Sequence, residues 1–325
     1  MIGELAPTRA STGRSNRILR WTSAWGALLF GCAFSPALPP SHDWGVHQIA
    51  SRELRELSGL VKSRVHPGVF WGHNDSGDVP RIFAMDAEGR TLGEFAVRGA
   101  DHVDWEDIAA DDSGSLYLGD FGNNLNRRTD LRIYRVPEPD PALEIGRVET
   151  DSTFRFRFSD QVRRFDLAEF NFDAEALFEF EGALFIATKH RSDRDTKLYR
   201  LPLHPEPGET SLAPMATIPL GGRPVFGIDL YGEVTGADAQ GSRLALLTYR
   251  AIYLLRITRK APADMPRFDV IETIELDPRR TGQVEAIAWS GQDELLIGNE
   301  SGSLFRIRVP RDPDSEAAER ENPAD

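Results

Sequence analysis

Three glutamates stand at the heads of equivalent short apolar runs: Glu106 in Glu106-Asp107-Ile108-Ala109, Glu175 in Glu175-Ala176-Leu177-Phe178, and Glu285 in Glu285-Ala286-Ile287-Ala288. Two further runs of the same shape, Ser58-Gly59-Leu60-Val61 and Thr235-Gly236-Ala237-Asp238, open on a hydroxyl or its neighbour. After each run a second apolar segment ends in a polar loop: His73-Asn74-Asp75, Asp120 to Asn124, Lys189-His190, Tyr249-Arg250 and Asn299-Glu300. Carboxylates gathered at one place repel one another, so they take up protons or a cation neutralises them. All-oxygen ligands suit calcium first and magnesium or manganese next, while a single cysteine and few histidines disfavour zinc. The expected ligands are Glu106, Glu175 and Glu285, with Asn74, Asp75, Asp120 and Asn299 beside them. His73 and Glu106 are candidate bases; Lys189, His190, Arg250 and Glu300 are candidate ligand contacts.

Plainer roles exist for each. A glutamate at a strand start can simply accept backbone N–H groups where strands meet. Asn74-Asp75-Ser76-Gly77-Asp78 can be a turn held by side-chain-to-backbone bonds, since it lacks the spacing and distal glutamate of a complete calcium loop. Trp105 suits packing. Lys189 and Arg250 can pair with the carboxylates or receive an anionic group such as phosphate. No Gly-x-Ser-x-Gly, His-Glu-x-x-His or phosphate-cradling glycine loop occurs, so no nucleophile motif stands out.

Positioning these residues falls to strands. No amphipathic helical stripe of three turns occurs between 43 and 309. Short β-branched and aromatic alternations instead recur between Asp/Gly/Ser/Pro turns. The five runs begin 48, 69, 60 and 50 residues apart, a period suited to propeller blades. Five units of four strands, closed by the N-terminal strand Trp44 to Ala50, account for nearly every apolar run and leave no open edge in the ring. The fold class is therefore all-β, a five-bladed propeller. A sixth blade is the alternative, hidden in Asp160 to Asn171 or Arg223 to Tyr231. In such a ring the starts of first strands and the ends of second strands share one face.

Leu57-Ser58-Gly59-Leu60, Asn74 to Asp78, Trp105 to Ala109 and Val284 to Ala288, in that order, resemble the secreted bacterial propellers that include the phytase-like and regucalcin/gluconolactonase-type proteins. The resemblance spans most of 54–309. It implies a propeller, typically of six blades, and a metal-dependent hydrolase acting on phosphoesters or lactones. The five-blade count departs from that pattern.

The formal charge is −13, and residues 1–31 carry four arginines against one glutamate, which leaves the remainder at −16. Such a surface repels phosphate backbones and argues against nucleic acid as a partner. Trp21 to Gly31 is an uncharged run of eleven residues behind the arginines, too short to span a bilayer and suited to a signal peptide over 1–31. Leu29-Phe30-Gly31-Cys32 resembles a lipobox, which makes Cys32 the expected lipidation site; plain secretion with cleavage near Ser35 or Ala37 is the alternative. Residues 32–42 read as a tether, 43–309 as the propeller and 310–325 as a disordered acidic tail.

Three functions fit: an exported, lipid-anchored propeller binding a divalent cation and through it a small molecule or envelope protein; a metal-dependent hydrolase; or a metal-free envelope scaffold. The lipid anchor would be its only membrane contact.

Overall fold

The computed structural model describes residues 45–161, 171–193, 195–221, 233–259 and 265–310. They belong to the compact unit His42–Asp325; the expected signal peptide, Cys32, the whole tether and nearly all of the tail lie outside the described residues.

The first strand among the described residues is β1 (Gly45–Gln48), whose partner lies near the other end of the described chain. Blade 1 is β2 (Leu57–Lys62), β3 (Phe70–Asn74), β4 (Arg81–Met85) and β5 (Thr91–Arg98). Blade 2 starts with β6 (Trp105–Ala110), β7 (Ser115–Asp120) and β8 (Arg132–Pro137). The next strand, β9 (Ile145–Glu149), leaves for blade 1, and β10 (Ser152–Phe158) returns to complete blade 2. Blade 3 follows with β11 (Asp173–Phe180), β12 (Ala183–Lys189) and β13 (Asp195–Pro202). Its excursion is β14 (Glu209–Leu212), which joins blade 2, before β15 (Pro214–Pro219) closes blade 3. Blade 4 is β16 (Val234–Gln240), β17 (Arg243–Thr248), β18 (Ala251–Thr258) and β19 (Arg267–Glu275). Blade 5 is β20 (Val284–Gly291), β21 (Glu294–Asn299) and β22 (Ser303–Arg308), with β1 antiparallel to β22 as its fourth strand.

The ring therefore has five blades of four antiparallel strands, closed by the N-terminal strand. The innermost strands β2 and β20 are neighbours, so the circle is complete at five. Most of the two insertions considered for a sixth blade lies outside the described residues. Blades 1 and 2 carry an additional outer strand each, β9 on β5 and β14 on β10, both parallel. These two were not expected: Ile145-Gly146-Arg147-Val148-Glu149 and Glu209-Thr210-Ser211-Leu212 are short and mostly exposed, which leaves little apolar pattern to read.

Five apolar clusters fill the five junctions. Phe70, Phe83 and Leu60 meet Leu296 and Leu304 between blades 5 and 1, and Trp71 and Phe95 meet Trp105 and Leu118 between blades 1 and 2. The remaining junctions are packed the same way. Each fully buried Leu or Phe contributes about 1.5–3 kcal/mol of apolar transfer energy. Blades press on both faces of every inner strand, which explains why β6 and β7 are buried at every position rather than alternately. Within the channel Asp107 Oδ1 accepts from Ile108 N (2.8 Å), while Oδ2 accepts from Leu177 N (2.8 Å) and Ala237 N (3.2 Å). One carboxylate thus ties the inner strands of blades 2, 3 and 4. Among the described residues no helix is long and apolar enough to cross a membrane.

Candidate functional site

Each inner strand slips its register at its second or third residue, and β20 slips a second time between Trp289 and Gly291. Between β2 and β3 the pairing passes from Leu57↔Asn74 to Gly59↔His73, and the other four blades repeat the slip. The residue left without a partner is Ser58, Glu106, Glu175, Thr235 or Glu285. Bulges re-aim side chains, and these five are the ring read from the repeat. The two hydroxyls lace neighbouring blades: Ser58 Oγ donates to Glu106 O, and Thr235 Oγ1 to Val284 O (both 2.9 Å).

The bulge also sets two further tiers. Two residues before the bulged position stand Glu56, Asp104, Asp173, Glu233 and Gln283. On the second strand, one residue past the partner of the residue before the bulge, stand Asp75, Phe121, Lys189, Tyr249 and Glu300; in blade 3 the pairing runs on to include Lys189, opposite Asp173. Three groups of carboxylates arise from these tiers: Asp75–Asp104–Glu106, Glu106–Asp173–Glu175 and Asp75–Glu285–Glu300, with ligand oxygens within 4.8 Å of one another in each group.

The three groups differ in what already faces them. Lys189 Nζ lies 3.0 Å from Glu175 Oε1, and Arg191 Nη1 lies 2.8 Å from Asp173 Oδ2. Glu285 Oε1 accepts from Tyr249 Oη (3.0 Å) and Gln283 Nε2 (2.8 Å); the same amide reaches Glu300 Oε1 at 2.6 Å. By contrast, the Glu106 carboxylate accepts no hydrogen bond and forms no ion pair among the described residues, although Glu106 is only 6% exposed. Asp104 is in the same position, and Asp75 accepts one bond, from Ser76 N. Gly122, just after β7, makes room for this pair: a Cβ there would overlap the carboxylates of both Glu106 and Asp104.

Protonation follows from this arrangement. Burial and then Glu285 raise Asp75 to about 6; burial, Asp173 and Asp75 raise Asp104 to about 7. Burial, Glu175 and Asp104 hold Glu106 well above the carboxylate range. Burial and Glu285 lift Glu300 to about 8. Asp173 goes the other way, because Arg191 and Lys189 outweigh its burial. Burial opposes the charge on Lys189, but Glu175 and Tyr249 hold its ammonium. Buried acids without a counter-charge, such as Asp75, Asp104 and Glu106, hold their protons to higher pH than exposed carboxyls do.

The expected site residues divide. Glu106, Glu175, Glu285, Asp75 and Glu300 belong to the carboxylate groups, and Lys189 sits among them. Asn74 is consumed by its turn: Oδ1 accepts from Arg55 N and Glu56 N, and Nδ2 donates to Glu53 O and Asp78 Oδ2. Asn299 is equally engaged, with Thr281 O, Ser301 and Ser303 N. Asp120 is fully buried, bonded to Asp104 N and paired with Arg128 at 2.9 Å. It therefore positions Asp104. His73 is fully buried in β3, edge-on to Trp105, and burial lowers it to about 4. His190 is held by Asp193 at 2.7 Å, and Arg250 N bonds Thr248 Oγ1. Neither histidine belongs to a carboxylate group.

Asp104, Asp173, Gln283 and Tyr249 were not among the expected ligands. A signal for the first three was present: the pattern polar–apolar–polar recurs as Glu56-Leu57-Ser58, Asp104-Trp105-Glu106, Asp173-Ala174-Glu175, Glu233-Val234-Thr235 and Gln283-Val284-Glu285. A regular strand would send residues i and i+2 to one face, and here the bulge adjusts that geometry.

No protein-family model and no curated protein matches the sequence. Among solved structures the chain is similar to the PQQ-bound aldose sugar dehydrogenase of Streptomyces coelicolor, at 14% identity and a TM-score of 0.46 over 84% of this chain and 100% of that one. A putative oxidoreductase (glucose dehydrogenase) of Thermus thermophilus follows at 13% identity and 0.43, over 81% and 99%. A putative gluconolactonase matches at 11% identity and 0.40, over 84% and 94%. The resemblance to gluconolactonase-type propellers is one of fold.

Proposed function

We propose that the channel mouth binds one divalent cation, calcium by preference, on Asp75, Asp104 and Glu106, and that this cation holds an oxygen-bearing small molecule or partner. The observation that carries the reading is the buried Glu106 carboxylate, without a donor among the described residues, facing Asp104 and Asp75 in a space that Gly122 keeps open. Carboxylate oxygens suit calcium, whose remaining positions backbone carbonyls, water or ligand would fill. The test is thermal melting of the purified protein with calcium and with chelator. Binding at about 100 times Kd contributes about 2.7 kcal/mol, which moves the midpoint of a domain this size by several degrees. An unchanged midpoint returns the chain to the metal-free scaffold.

A hydrolytic reading has one supporting observation: a cation at this place would polarise a bound carbonyl, and the Glu300 carboxyl, raised to about 8 by burial and Glu285, lies in the group that shares Asp75 without being one of the proposed ligands. A lactone fits better than a phosphoester, because Lys189, Arg191 and Arg128 are already committed to Glu175, Asp173 and Asp120. Lactone and phosphomonoester assays with Glu106→Gln as control separate enzyme from binder. Export and lipidation at Cys32 complete the proposal and put the binding face outside the cytoplasm.

A further inference from the structure

Two of the three carboxylate groups share Glu106, and by spacing alone each could take a cation. They differ in the cations that face them: Lys189 pairs with Glu175 and Arg191 with Asp173, whereas no ion pair faces Asp75, Asp104 or Glu106 among the described residues. In the tier at the end of the second strand, blades 1 and 5 supply carboxylates, Asp75 and Glu300, blade 2 supplies Phe121 and blade 4 Tyr249; blade 3 supplies Lys189. Its side chain is 6% exposed, and its Nζ lies 3.0 Å from Glu175 Oε1, 3.0 Å from Tyr249 Oη and 4.9 Å from the centre of the Tyr249 ring. The phenol oxygen passes the contact on to Glu285 at 3.0 Å. An ammonium is thus fixed on three sides, by a carboxylate, a hydroxyl and an aromatic face.

We propose that Lys189 is a built-in counter-ion that limits the mouth to a single divalent cation: its ammonium stands where a second ion would bind the Glu106–Asp173–Glu175 group. The inference rests on the cation reading above. A divalent ion on Glu175 would meet the ammonium at close range in a buried setting, where like charges are poorly screened. On the Asp75 side of Glu106 no cation pairs with Asp75, Asp104 or Glu106 among the described residues, and Arg128, which acts on Asp104, is held by Asp120 at 2.9 Å. Glu106 is the shared boundary, and Lys189 decides which side of it is used. Lys189 acts as a positioning residue, which fixes the number of ions and the side of the channel to which a ligand is drawn.

Calcium stoichiometry by equilibrium dialysis of the full chain tests this. The protein is expected to bind one calcium, Lys189→Met two, and Lys189→Arg one. Zero in the unaltered protein overturns the cation reading itself. Two in the unaltered protein, or one in a folded Lys189→Met, overturns the role of Lys189 and leaves the cation reading standing. Glu175→Gln serves if Lys189→Met does not fold. It keeps the ammonium but removes its carboxylate, so the charge turns on Glu106, and calcium affinity is expected to fall at least about tenfold. Lys189→Met with Glu175→Gln is expected to restore affinity with one ion bound. Unchanged affinity in Glu175→Gln overturns the proposal.

Discussion

Tyr249 Oη lies 3.0 Å from Lys189 Nζ and 3.0 Å from Glu285 Oε1, so one phenol from blade 4 joins a cation of blade 3 to a carboxylate of blade 5. Tyr249→Phe keeps the ring and removes both bonds. The expected cost is about 1–3 kcal/mol, the range for leaving buried polar partners unsatisfied. It is checked by urea unfolding with an unchanged m-value, and a midpoint equal to that of the unaltered protein would show that water replaces the phenol.

Calcium should stabilise more at pH 8 than at pH 5. Asp75 and Asp104 are raised to about 6 and about 7, and Glu106 is held higher still. In the metal-free fold these groups bind more protons than in the unfolded chain. Their contribution is therefore fully present below the unfolded carboxylate range and is lost as pH rises through 6 and 7. A cation that takes the place of those protons offsets that loss. The difference in melting midpoint with and without calcium is expected to grow across this window; a constant difference would mean that calcium binds elsewhere.

Gly122→Ala should abolish the calcium response. The added Cβ meets the carboxylates of Glu106 and Asp104, so both must move from the geometry that serves a cation. Melting with calcium and with chelator is expected to give one midpoint, with circular dichroism retaining the strand signal.

Asp107→Ala is expected to be the most damaging single change near the axis. Three backbone N–H groups, those of Ile108, Leu177 and Ala237, lose their acceptor in a buried setting. At about 1–3 kcal/mol for each orphaned group, the loss exceeds about 3 kcal/mol by denaturant titration. Asp107→Asn should be damaging too, because its amide turns a donor toward other donors.

Mass spectrometry of the mature N-terminus decides the anchor. A diacylglyceryl-modified Cys32 as first residue is the expected result, and an unmodified start beyond it removes the anchor from the proposal.

The ring, its closure and its five bulged residues were legible because they repeat. A polar residue before a short apolar run, five times over, marks both the blade and the position that its bulge turns into the channel. Asp104 and Asp173 were equally repetitive, but they sit before the runs and read as loop. What sequence alone did not show is which acids already have partners. Glu106, Glu175 and Glu285 look alike in the chain, yet Lys189 and Tyr249 occupy two of them. That difference depends on side chains arriving from neighbouring blades. The amides of Asn74 and Asn299 looked free for ligands for the same reason, and both are spent on holding their own loops.

The excursions of β9 and β14 have a consequence for how the molecule is made. Blade 1 receives its outermost strand only after most of blade 2 has left the ribosome, and blade 2 receives its own only after three strands of blade 3. The first strand of the described residues, β1, waits for the last of them, β22, some 250 residues later. Translation therefore runs one blade ahead of completion, with bare outer edges on blades 1 and 2 in the meantime. A stall inside blade 2 or 3 would expose those edges to a neighbouring nascent chain.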